Sequence, residues 1–192
     1  MIYSDIKVCN RALSFLKLNH INSLEETTAE AIQCKFLYDM VKAEVLSSNI
    51  WKVCLKTIVL SNFYNKDSLK KNSYQYEFAL PSDCLRILNV DNNSDYLRQG
   101  NTLYANSSSV QLTYLANIDV ENLPLNLVYL IVLKLALELS FNFSVENTLQ
   151  KELRELYEIE LRKNSNLDAK EGSEVFDNQS LFSSSWLDSR KY

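Results

Sequence analysis

Apolar residues recur at helical steps through the first quarter of the chain, then alternate, then return to a helical step. Ile6, Cys9, Leu13 and Leu16 make one stripe over residues 4–18 and predict a helix. Ser4 is placed to cap it, and Asp5 stands in its first turn, where the helix dipole favours a negative charge. After the connection NHINSLEE, Thr27 and Glu30 have the spacing of a capping box, in which each side chain satisfies an orphan backbone donor. The helix they open is expected to run to about Ser48, with Ala31, Cys34, Tyr38, Val41 and Val45 on one face.

From Trp51 the period changes to two. KTIVLSNFY is rich in β-branched and aromatic residues. YQYEF sets Tyr74, Tyr76 and Phe78 on one side, and VQLTYL does the same with Val110, Leu112 and Tyr114. Gly100-Asn101 stands where a two-residue hairpin turn is needed. Residues 55–116 therefore read as a small antiparallel β-region inserted between helices.

Pro124 marks the entry to a very apolar helix over 124–143. Its polar residues Asn126, Lys134, Glu138 and Asn142 fall on one narrow strip, so it must be covered on several sides, by the other helices or by a neighbouring subunit. It reads as too short and too charged for a membrane span. A last helix, about 146–169, turns Leu149, Leu153, Leu156 and Leu161 inward and pairs Glu158 with Arg162 on its solvated face. The segment after Gly172 is Ser-rich and polar but holds three apolar pairs, Val175-Phe176, Leu181-Phe182 and Trp186-Leu187. Such pairs on a polar strand suit docking, on a partner or on the chain's own domain. Phe176, Leu181, Phe182, Trp186 and Leu187 are the candidate docking residues.

The pattern adds up to a mainly α fold: a bundle of about four helices with an inserted small antiparallel β-domain and an extended C-terminal tail. In boundaries, 1–54 and 117–170 form the helical domain, 55–116 the β-region and 171–192 the tail. A chain of 192 residues can bury roughly 70% of its unfolded surface, enough for a real core. Its net charge of −4 gives no reason to expect a general DNA- or membrane-binding surface. With two glycines and two prolines, turns must rely mostly on Asn, Asp and Ser. MIYSDIKVCN carries charges where a signal peptide would have its apolar core, so no such peptide is expected.

Candidate chemistry adds little. The four cysteines, Cys9, Cys34, Cys54 and Cys84, form no C-x-x-C pair, and His20 is the single histidine, so no zinc site is expected. Cys9 and Cys34 fall on apolar helix faces, where cysteine behaves as a small hydrophobe, and reduced intracellular thiols are the expectation. A Cys84 nucleophile would need a base, and only His20 is available. Two glycines 72 residues apart exclude dinucleotide and P-loop phosphate cradles, and G-x-S-x-G is absent. No catalytic, cofactor-binding or metal residue is therefore assigned.

Four stretches in order carry a likeness. They are CNRALSFLKLNHINSLEETTAEAIQCKFLYDMVKAEVLSSNIWKV, YEFALPSDCLRILNV, LTYLANIDVENLPLNLVYLIVLKLALELS and the charged helix up to Ala169. Together they resemble the tail tubular protein A family, the head-to-tail adaptors of short-tailed bacteriophages, over about residues 5–170. The departures are Leu16-Lys17 where the family commonly has Leu-Gly, and Val53-Cys54 where Phe-Ala is usual. The resemblance implies a non-enzymatic virion protein made in the host bacterial cytoplasm. It would form a homo-oligomeric ring, typically a dodecamer, between the portal and the tail nozzle. Double-stranded DNA would pass through its lumen without specific binding, and no membrane or cofactor would be involved.

Two other readings compete: a generic helical protein–protein interaction module, and a cysteine hydrolase using Cys84. The stretch FALPSDCLRIL separates them. As a structural corner, Pro81 ends a strand, Ser82-Asp83 turn the chain with Asp83 bonding backbone amides, and Cys84, Leu85 and Ile87 begin the next strand with Arg86 opposite.

Overall fold

A computed structural model describes residues 3–61, 64–65, 74–90 and 95–170. Four α-helices and two small antiparallel sheets make up the described fold, α1 Asp5–Phe15, α2 Ala29–Ser47, α3 Leu125–Asn142 and α4 Asn147–Lys170. The strands are β1 Leu55–Ser61, β2 Tyr64–Asn65, β3 Tyr76–Ala79, β4 Cys84–Val90, β5 Tyr96–Gln99, β6 Thr102–Ala105 and β7 Ser109–Ala116. Three-residue 3₁₀ turns at Lys52–Cys54 and Val120–Asn122 join strands to helices at either end.

The helix ends follow from their residues, with one correction. Ser4 caps α1 by accepting from the Lys7 amide at 3.4 Å. In α2 the cap is Thr28, not Thr27: its Oγ1 accepts from the Ala31 amide at 3.3 Å, while Glu30 instead receives Asn19 Nδ2. One residue of register separates the two threonines, and the capping box is lost with it. The C-terminal carbonyls of α2 are taken by Ser47 Oγ, Ser48 Oγ and the indole of buried Trp51, which reaches Val45 O at 2.9 Å. Val45 O also accepts the Ser48 amide at 3.3 Å, so backbone and side chains close this helix end together.

α1 ends in a six-residue Schellman loop: Leu18 N–H donates to Leu13 O at 3.1 Å and Lys17 N–H to Ser14 O at 3.2 Å. The residue that turns the chain is Lys17, at φ 57°, in the left-handed region a glycine occupies without steric cost. The end of α3 repeats the arrangement. Ser144 sits at φ 50°, with Val145 N–H donating to Ser140 O and Ser144 N–H to Phe141 O. Asn10 then pins the connection after α1 by exchanging two 2.8 Å bonds with the Ile21 backbone.

The apolar helix α3 lies at the centre. Its buried residues, among them Leu130, Ile131, Leu133 and Leu135, pack with α1, α2 and α4 of the same chain. Its length and mean hydropathy of 1.5 reach those of a membrane-crossing helix, contrary to the sequence expectation, but it is a core helix, 61% buried. Three of the four strip residues bond within the chain, and Asn126 is exposed. Lys134 bridges Glu44 of α2 at 3.0 Å and Glu138 at 2.9 Å, and Asn142 donates to Gln33 of α2 at 2.7 Å. Cover for most of α3 thus comes from its own chain, while Leu125 and Phe141 near its ends stay exposed.

The two sheets face each other. One has the order β1-β7-β4 and the other β2-β3-β6-β5. Val110, Leu112 and Tyr114 of β7, with Ile58 and Leu60, meet Phe78, Leu103 and Ala105 in a second core. Gly100, at φ 59°, and Asn101 form the expected hairpin turn between β5 and β6. On β4 two register shifts leave Leu85 and Leu88 without partners on β7. These two side chains pack against the helical core, whereas Cys84, Ile87 and Val90 pack in the second core. A bulge re-aims a side chain in this way, so Leu85 does not share the Cys84–Ile87 face as the sequence reading had it.

Candidate functional site: the corner at Asp83 and the outer face of α2

The corner at 81–84 is a hydrogen-bonded turn, with Cys84 N–H donating to Pro81 O at 3.0 Å. Asp83 does not bond amides two residues on. Its carboxylate accepts from Lys56 Nζ of β1 at 2.7 Å and from Tyr114 OH of β7 at 3.1 Å, and its carbonyl accepts from Asn117 N–H at 2.7 Å. The Lys56 ammonium chiefly holds the Asp83 carboxyl below its usual range. Burial, and then the Asp83 carboxylate, push the Tyr114 phenol up to about 12. Arg86 extends to the end of α2 and donates to Ser47 O at 3.4 Å, where the helix dipole favours a cation. One short motif therefore ties β1 and β7 to the turn, and β4 to α2.

The candidate dyad is not assembled. His20 shares a 2.7 Å hydrogen bond with Ser14 Oγ beside the end of α1. Cys84 lies at the start of β4, half-buried against the second core, and burial pushes its thiol up, away from thiolate chemistry. Cys9 and Cys34 are both buried in the helical core, where the neighbouring Cys34 thiol and burial raise the Cys9 thiol, and burial pushes Cys54 up to about 11. Among the described residues, no three His, Cys, Asp or Glu side chains gather as a metal site would need.

The surface offers a different feature, which periodicity alone could have shown. α2 is apolar on both sides. Its inward face carries Ala31, Cys34, Leu37, Tyr38, Val41 and Val45. Its outward face carries Ile32, Phe36 and Met40 at four-residue steps, 52%, 74% and 55% exposed. Ala29, Ala43 and Ser47 continue that stripe at three- and four-residue steps. Lys35 flanks it, paired with Glu25 at 2.6 Å. Ala31, Cys34, Tyr38, Val41 and Val45 match the face expected from the sequence, and Leu37 joins them.

The end of α4 is fastened beside the end of α2. Asp168 accepts from the Lys52 amide at 3.2 Å, and Lys52 Nζ donates to the carbonyls of Asp168 and Ala169. The candidate docking residues Phe176, Leu181, Phe182, Trp186 and Leu187 lie outside the described residues. Compared with known proteins, the chain matches no family model and no curated protein.

Proposed function

We propose that this chain is a structural virion subunit, a head-to-tail adaptor of a short-tailed phage that joins the portal to the tail nozzle as a homo-oligomeric ring. In this reading the mainly α bundle builds the ring and the inserted β-region packs towards tail components. The 171–192 tail docks on the portal or an adjacent ring protein, and DNA passes through the lumen without specific binding. The observation that carries it is the ordered likeness over residues 5–170, from the Cys34 helix through LPSDCLR to the apolar helix. The functions found for the LPSDCLR residues suit a building block, since Asp83 and Arg86 act as ties between elements. An exposed apolar stripe on α2 suits a protein that works by assembly.

Truncation at Gly172 gives a folded, soluble subunit that fails to join the portal. Negative-stain imaging and co-sedimentation of the truncated and full chains with portal rings measure this directly. Normal assembly of the truncated chain refutes the docking role of the tail. The same stripe on α2 also suits a helical interaction module unrelated to virions. That reading expects no ring when portal is added, so particle size by light scattering separates the two.

A further inference from the structure

The outer stripe of α2 is the largest exposed run of apolar side chains on one described element, and three of its members are more than half exposed. The chain holds a segment suited to cover it. Residues 171–192 carry Val175-Phe176, Leu181-Phe182 and Trp186-Leu187 among polar neighbours. That segment departs from Lys170, and the preceding residues Asp168 and Ala169 are held by Lys52, just past the C-terminal end of α2.

Reach decides whether the two can meet. From Ser47 back to Ile32 is about 22 Å along the helix at 1.5 Å per residue. An extended chain covers up to about 20 Å by Phe176 and about 53 Å by Trp186, counted from Lys170. The three apolar pairs therefore bracket the whole stripe. A tether this short holds the segment at an effective concentration in the millimolar range, which a second copy in dilute solution does not match. We infer that, in the isolated chain, the 171–192 segment lies back along its own α2 and covers Ile32, Phe36 and Met40. This docking stands without the adaptor reading. If that reading holds as well, the segment must leave α2 to reach the portal, which keeps the stripe covered until assembly.

The test needs no portal, so its failure is distinct from failure of the adaptor reading. A photo-crosslinking phenylalanine analogue replaces Phe36 in the full chain, and light and heavy isotope-labelled proteins are mixed before irradiation. The expected products join position 36 to peptides from 171–192 within one isotope form. Mixed-isotope products, meaning a second copy on the stripe, overturn the proposal, and so does a lack of tail peptides. Tryptophan emission gives an independent measure, since Trp51 is buried and fixed. Phe36→Glu should shift the emission to longer wavelength as Trp186 is released, and an unchanged spectrum also overturns the proposal.

Discussion

Replacing Lys17 by glycine should stabilise this protein. Lys17 turns the chain at the end of α1 with φ 57°, and its side chain is exposed. A side chain in that conformation costs about 1–2 kcal/mol through the clash of Cβ with the following carbonyl. Glycine removes the clash but adds freedom to the unfolded chain, which takes back about 0.5–1 kcal/mol. Relative to Lys17→Ala, the gain for Lys17→Gly is therefore about 0.5–1 kcal/mol, or a difference in Tm of about 1–4 °C for a chain of this size. Lys17→Ala is the control. It removes the charge near the helix C-terminus but keeps the backbone strain, so it should fall at or slightly below the parent protein. Urea titrations followed by circular dichroism give all three stabilities. The reasoning fails if Lys17→Gly is no more stable than Lys17→Ala, because both lose the same charge and only one relieves the turn. Ser144, at φ 50° in the same arrangement after α3, offers a second site for the same comparison.

Two further outcomes follow from packing and from thiol burial. Lys134→Ala should cost about 2–3 kcal/mol, mainly because three buried methylenes are lost at about 0.8 kcal/mol each. Lys134→Met should stay within about 1 kcal/mol of the parent, since it keeps the apolar stem and partly exposed carboxylate partners contribute little. Equal losses in chemical denaturation would mean that charge, not packing, holds the strip between α2 and α3. Thiol labelling should be slow at Cys84 and absent at Cys9, Cys34 and Cys54 until the chain unfolds, because the last three are fully buried. Mass spectrometry after brief iodoacetamide treatment reads this by site, and rapid modification of Cys9 or Cys34 contradicts the buried pair.

The elements with one strong period were legible. Ser4, the stripe from Ile6 to Leu16 and the Gly100-Asn101 turn all stand where local chemistry puts them. Val110, Leu112 and Tyr114 also share one face as alternation requires. Thr27 and Thr28 were not separable, because two adjacent hydroxyls offer the same cap and packing chooses the register. The corner at 81–84 was legible as a turn, but the partners of Asp83 were not. Lys56 and Tyr114 come from strands 27 and 31 residues away in sequence. The run Cys84-Leu85-Arg86-Ile87-Leu88 breaks alternation, and that break was the available sign of two bulges. The outer stripe of α2 was equally present in the sequence. Ile32, Phe36 and Met40 keep the same helical step as the core face, so periodicity alone does not say which face is covered.

The bulged strand has a consequence for how the molecule holds together. β4 gives Leu85 and Leu88 to the helices and Cys84, Ile87 and Val90 to the sheets, while Arg86 ties the same strand to the end of α2. Bundle and sandwich thus share one strand. A pull on the β-region reaches the helices through that strand and through Leu115 of β7, and neither half can open without stripping apolar cover from the other.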